Sequence, residues 1–336
     1  MVERTEGWFV PKVPLAENSK QPSLRRVFSW GRAWEEAIRL ALFGCALLSV
    51  LTTVSIICIL TWQTFQFFRV EPEGRPHVTV TEFLTAAEWT PSNAPEQQHF
   101  GIRPLVIGTF MVAGIAAMIG LPLGLASAVY LSEYASPKFR SFVKPTLEML
   151  AGIPTVVYGY FALLFLTPYV LKPVFQGLFG FHVDTFNAAA GGITVGIMIL
   201  PMVSSLSEDV LRSVPRGLRE AAYALGSTKF DVSVRVVLPA ALSGILASCL
   251  LALSRAVGET MAVTIAVGQN ATGSFNPLET TETMTAFIVD ITGGETSVGT
   301  VQDYSLYAVA ASLFLITLAT NVVAQLILRR FREVYH

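Results

Sequence analysis

Apolar positions in this chain gather into long runs rather than alternating with polar ones. Six runs, at 40–68, 105–131, 142–170, 186–206, 239–268 and 304–328, exceed the roughly 20 helical residues that a bilayer core requires. Each is predicted as a membrane-crossing helix. The polar stretches between them are short, apart from an outer loop at 69–103 and a second segment at 270–303. The pattern therefore predicts an all-α integral membrane protein with six transmembrane helices. Residues 1–39 form an N-terminal segment in this reading, and residues 40–332 form one membrane domain. Pro11, Pro14, Pro22 and scattered charges leave the N-terminal segment without expected structure of its own.

Breaker residues mark places inside the runs. Gly120-Leu-Pro-Leu-Gly124 lies in the second run, and Gly152-Ile-Pro154 lies in the third. Pro154 removes a backbone hydrogen bond and is predicted to kink its helix. Gly152 and Gly159 permit close helix contact. In the outer loop, residues 82–89 read as a short interfacial helix with Trp89 at headgroup level.

Composition agrees with the membrane reading: 52% of residues are hydrophobic and 14% charged, far from a soluble domain's balance. The first run starts about 40 residues in and is too long for a cleaved signal peptide. Basic residues set the orientation. If the N-terminus is cytoplasmic, the cytoplasmic side collects clusters such as Arg25-Arg26, Lys138/Arg140/Lys144, Arg212/Arg216/Arg219 and Arg329-Arg330. The outer side holds only Arg69, Arg75, Arg103 and Lys172, which predicts both termini inside. Segment 270–303 carries five acids and no base, as suits an outer surface. Cys45, Cys58 and Cys249 lie in apolar runs, where they read as small hydrophobes. The four histidines have no metal-ligand spacing. There is no G-x-x-x-x-G-K-[ST] motif, and no catalytic triad or carboxylate pair can be assembled. The expectation is a chain that is not an enzyme, without metal or cofactor. Energy for any active transport would come from another polypeptide.

Two constellations carry candidate function. Arg255 and Glu259 sit near the middle of the fifth run, where an ionisable side chain costs several kcal/mol without a partner, water or a substrate. Their i,i+4 spacing places them on one helix face with Gly244, Ser248, Ala252, Ala262 and Ala266. Such a stripe faces a partner helix or an aqueous path. A structural ion pair is the competing reading, but Arg before Glu is the less favourable order. A guanidinium holds an oxyanion through two parallel hydrogen bonds. The second constellation is Glu220-Ala221-Ala222-Tyr-Ala-Leu-Gly226, followed by Leu238-Pro239, in a polar stretch at 209–238 between two runs. Ala and Leu favour helix there, and Gly226 is a natural helix stop.

The second stretch resembles the EAA loop of ABC importer permeases, through which an ATPase subunit moves a membrane channel. With Pro122-Leu-Gly-Leu-Ala126, Tyr130-Leu-Ser-Glu-Tyr134, Gly152-Ile-Pro-Thr-Val-Val-Tyr-Gly159 and Arg255-Ala-Val-Gly-Glu-Thr-Met261, the chain from about 100 to 330 resembles the permeases of phosphate-specific (Pst) ABC importers. The long first outer loop and Glu88-Trp-Thr-Pro91 favour the C type over the A type. The resemblance implies a type I importer permease of MetI-like fold. It implies a second, A-type permease chain, two copies of the ATP-binding subunit PstB, the external phosphate-binding protein PstS, phosphate as cargo, membrane lipid around the helices, and no nucleic acid. It assigns Arg255 and Glu259 to the substrate pathway and Glu220, Ala221, Ala222 and Gly226 to ATPase coupling. A permease for sulfate or molybdate, an ATP-independent anion transporter or channel, and a membrane sensor of phosphate status are the alternative readings.

Overall fold

A computed structural model describes residues 30–71, 77–93, 97–294, 297 and 299–330. The chain divides into two units at residue 56. Among the described residues the first unit is helix alone, the beginning of α1 (Trp30–Phe67). Residues 30–39 are thus helical, where the sequence predicts an unstructured segment. Residues 1–29 lie outside the described residues.

The second unit holds the other eleven helices: α2 (Val80–Thr85), α3 (Arg103–Val129), α4 (Pro137–Ala151), α5 (Thr155–Phe161), α6 (Ala188–Ser213), α7 (Arg216–Ala224), α8 (Lys229–Val232), α9 (Leu238–Val257), α10 (Met261–Val267), α11 (Met284–Gly293) and α12 (Val301–Arg330). Three continue into wider π-helical turns: α3 through Tyr130–Tyr134, α5 through Ala162–Leu178 and α8 through Ser233–Val237. Six of the described helical stretches are long and apolar enough to cross a membrane: Trp34–Phe67, Arg103–Tyr134, Thr155–Leu178, Ala188–Ser213, Lys229–Val257 and Val301–Arg329.

Two runs differ from their predicted form. The third is not one kinked helix. Residues 137–151 form a separate amphipathic helix, α4, capped by Ser136, whose hydroxyl accepts from the Phe139 N–H. The chain then breaks at Gly152, and Pro154, with φ −54° and ψ 132°, starts α5. Proline terminates here because its ring clashes with the preceding turn and its nitrogen carries no proton. The fifth run is also interrupted: α9 ends at Val257 and α10 begins at Met261.

The centre of the second unit is the contact between α3 and α6, which run parallel with glycine at successive turns. A Cβ built on Gly120 would lie 2.7 Å from the Gly196 carbonyl oxygen and 2.6 Å from Ile199. One on Gly192 would lie 2.6 Å from Ile115, and one on Gly124 2.7 Å from Val203. Missing side chains bring the backbones together, which matters where lipid supplies no hydrophobic drive between helices. Ala116, Ala190, Val195, Ile199 and Val203 fill the seam and are fully buried.

At the end where α3 starts, aromatic rings close the bundle. Trp89 packs edge-on against Phe287 at 4.9 Å between centroids and against Phe100 at 6.0 Å, with Phe67 and Phe83 beside them. The outer-loop helix is α2, which ends at Thr85 rather than running through residues 82–89; Trp89 lies beyond it, buried in the protein and paired with Phe100 in an antiparallel bridge.

The packing sets an expected outcome. Gly120→Leu or Gly192→Val forces α3 and α6 apart and costs about 1–3 kcal/mol. A fall in the thermal midpoint of the detergent-solubilised protein checks it. Gly114→Ala on the same helix is the control, since a Cβ there meets nothing within 4 Å.

Candidate functional site

The stretch around Glu220 forms a helix, a turn and a second helix. α7 ends in a Schellman arrangement: the Ser227 N–H donates to Ala222 O at 3.2 Å and the Gly226 N–H to Tyr223 O at 2.9 Å. Gly226 has φ +82°, a left-handed conformation that penalises a Cβ, although the space around it is open. Thr228 then caps α8, accepting from the Asp231 N–H and donating to its carboxylate at 2.6 Å. Ala222 is buried, while Glu220, Ala221, Tyr223 and Leu225 are exposed. The predicted coupling residues therefore share one loop, with Ala222 inward and the others outward. Ala222 packs with Ala128, Leu211, Val232, Val237 and Ile245, fixing the loop to the ends of α3, α6 and α9.

Beside the loop lies a cavity of about 850 Å³ lined by Arg140, Lys144, Arg212, Arg216, Glu148 and Glu220, among others. Behind it, Glu208 of α6 is fully buried. Its oxygens meet Arg140 Nε at 2.7 Å and Lys144 Nζ at 2.9 Å, both from α4, with Arg212 at 3.9 Å. Lys144 also pairs with Asp209. Burial pulls the Lys144 ammonium down, but hydrogen bonds and attraction from Asp209 and Glu208 more than offset this and raise it. That contribution is complete at neutral pH. It is lost only as pH rises through the raised value, above the usual lysine range of about 10.4. The sequence reading missed Glu208; the available signal was an acid at the polar end of an apolar run with Arg212 four residues on.

Arg255 and Glu259 are not joined. Arg255 is in the last turn of α9 and exposed, with no hydrogen bond or ion pair to another described residue. The negative end of the α9 dipole favours its charge. Glu259 is 8% exposed and sits in the break. Its carboxylate accepts from the Ala262 N–H at 3.3 Å, and its carbonyl accepts from Thr285 Oγ1 at 2.8 Å. The continuous face predicted through Ala262 and Ala266 is therefore interrupted between the two charges. The helices that follow the two breaks pack together: a Cβ on Gly159 of α5 would lie 3.0 Å from the Ala262 carbonyl oxygen of α10.

Glu282, between α10 and α11, is a buried acid the sequence reading did not single out, 5% exposed. Burial first, then repulsion from Asp290, pushes its carboxyl up to about 8. Among the described residues no cluster of His, Cys, Asp or Glu could hold a metal ion. The three cysteines are free.

Among the described residues, six helical stretches long and apolar enough to cross a membrane, with α3 and α6 paired in the second unit and a helical hairpin beside the basic cavity, match a MetI-like importer permease fold. The chain aligns with a bacterial alginate ABC transporter, solved with its alginate pentasaccharide-bound periplasmic protein, over 91% of its own length and 100% of that chain, at TM-score 0.61 and 17% identity. It aligns with the MetNI methionine ABC transporter over 69% and 95%, at TM-score 0.50 and 19% identity. Residues 120–333 match the family described as the binding-protein-dependent transport system inner membrane component, and the chain belongs to that family. It is 32% identical over 279 residues to the probable ABC transporter permease protein YqgH of Bacillus subtilis (strain 168), covering 83% of this chain and 86% of that one. It is 30% identical over 335 residues to the phosphate transport system permease protein PstC of Mesorhizobium japonicum, covering 95% and 96%.

Two outcomes follow from the buried acids. Glu208→Ala leaves Arg140 without its partner, while Lys144 keeps Asp209, and destabilises the protein by about 3 kcal/mol, read as a lowered thermal midpoint. For Glu282 the folded value is raised above that of an unfolded Glu, about 4.3. The native state then holds the extra proton, and stability falls as pH rises from about 4.3 toward 8. In Glu282→Gln that part of the slope disappears, so the variant gains on the wild type as pH rises through this window.

Proposed function

We propose that this chain is the C-type permease subunit of an ATP-driven phosphate importer, forming with a second permease chain the route for inorganic phosphate across the bacterial cytoplasmic membrane. The observation that carries the reading is Arg255, an exposed and unpaired guanidinium on a membrane-crossing helix in a chain of this family. A charge there without a partner among the described residues of this chain fits contact with water or an anionic cargo. The names of relatives such as PstC support phosphate as that anion. An external binding protein delivers the ion. Two ATP-binding subunits, separate polypeptides, close on ATP and move the segment at 209–238 through the exposed Glu220 and Ala221 and the Gly226 turn. The basic ends of the helices and both termini face the cytoplasm, and the loop at 69–103 faces outward.

Within this reading Arg255 contacts the ion. Glu259 stands at the pathway's edge by holding the break that ends α9, which favours a positioning role over a direct grip on the ion's far side. Coupling requires that ATP and phosphate each bind some states better than others.

Radiolabelled phosphate uptake by proteoliposomes holding the full assembly tests the proposal, with sulfate and molybdate as competitors. Uptake that needs ATP and yields to neither competitor supports phosphate; preferential inhibition by sulfate or molybdate reassigns the cargo. Arg255→Gln lowers uptake by about 10- to 100-fold with normal assembly, the cost of one charged hydrogen-bonding group. Arg255→Lys is intermediate, because an ammonium is not a planar fork. Wild-type uptake in Arg255→Gln would place the route elsewhere.

A further inference from the structure

Arg219 directly precedes Glu220 but turns the other way. Its side chain is only 17% exposed. Nη1 donates to the Val214 carbonyl and Nη2 to the Leu211 carbonyl, both at 2.8 Å. These belong to the end of α6, where carbonyls run short of intrahelical donors. Nη2 also reaches Glu133 Oε1 at 3.1 Å, an oxygen that accepts from Ser132 Oγ at 3.0 Å. Glu133 lies on the π-helical turn that ends α3. The second helix of the loop touches the same turn, with Lys229 Nζ 4.9 Å from the centre of the Tyr134 ring.

One guanidinium thus bridges the coupling helix to the ends of both α3 and α6, the two helices whose backbones are in contact along the seam. A planar fork with five donors can satisfy three acceptors at once, which an ammonium on a flexible stem does not reproduce. The apolar cluster around Ala222 holds the loop in place independently, so the bridge is not needed to keep the loop folded.

We propose that Arg219 is the strut of the coupling loop: a positioning residue, touching neither nucleotide nor cargo, that delivers movement of the exposed α7 surface to α3 and α6 together. This rests on the reading of that surface as the ATPase contact. Without the strut the loop still binds the ATPase, and ATP is still hydrolysed, but the motion no longer reaches the helix pair.

The test uses the full assembly in proteoliposomes and reads copurified ATPase, ATP hydrolysis and phosphate uptake for wild type, Arg219→Lys, Arg219→Gln, Glu133→Gln and the Arg219→Gln/Glu133→Gln double variant. Copurification stays normal and hydrolysis stays within about twofold, while phosphate moved per ATP falls by about 3- to 30-fold in Arg219→Gln, the range in which residues along a coupling route act. Arg219→Lys and Glu133→Gln fall less, and the double variant is no worse than Arg219→Gln, as expected of residues in one network. An unchanged ratio of phosphate to ATP in Arg219→Gln and Glu133→Gln overturns the strut. If Arg219→Gln does not assemble, Glu133→Gln decides: a lowered ratio supports the strut and a normal one overturns it. A wild-type chain with no copurifying ATPase overturns the loop's assignment and the strut with it, whereas failure of the strut alone leaves wild-type hydrolysis and uptake intact.

Discussion

The backbone contact between α3 and α6 is the constraint on which the second unit depends. Hydrocarbon tails are as apolar as leucine, so helices associate there through depth of contact rather than escape from water. Glycine at positions 120, 124, 192 and 196 supplies that depth. The same seam fixes what lies at its ends. At one end Gly108 admits the Glu282 backbone carbonyl, which would sit 2.3 Å from a Cβ. At the other, Glu133 and the last carbonyls of α6 are held close enough for Arg219 to span them. A side chain added in the middle would disturb both ends.

Breaking a helix leaves N–H and C=O groups that need partners other than their own helix. Each break carries its own answer. At 258–260 the Glu259 carboxylate takes the Ala262 N–H, and Thr285 donates to the Glu259 carbonyl. At 152–154 the Gly152 and Ile153 N–H groups turn back to Met149 and Leu150 carbonyls, and the Tyr158 hydroxyl also donates to Leu150. The helices that follow the two breaks, α5 and α10, pack together at Gly159. The outcome is a helix end, with its negative dipole, placed at Arg255.

Local signals in the sequence were sufficient for much of this. Six spans follow from run length alone, and the turn at Gly226 follows from a glycine after an alanine-rich helix. What stayed hidden depended on pairings between distant segments. Glu208 finds Arg140 and Lys144 more than 60 residues away, so within its own run it reads as the polar end of a span. Leu147, Met149, Leu150 and Ala151 extend the apolar stretch across what is in fact a helix boundary, which concealed α4. The burial of Trp89 was also hidden, since nothing local reveals that Phe100 and Phe287 pack against it. The Arg255–Glu259 spacing was legible; the interruption between them was not, since it needs only Gly258 and the contacts of Thr285.

The parallel pairing of α3 with α6 has a consequence for biogenesis. Residues 130–187 separate the two helices, and a ribosome adds about 5–20 residues per second. For several seconds during synthesis α3 is complete while its partner is not yet made. Its glycine-lined groove must be tolerated by lipid or by the insertion machinery throughout that interval, and α5 must enter the membrane first. The folded bundle is therefore closed by a late-arriving helix, so a ribosome that stalls before residue 213 leaves a chain whose central groove is still open.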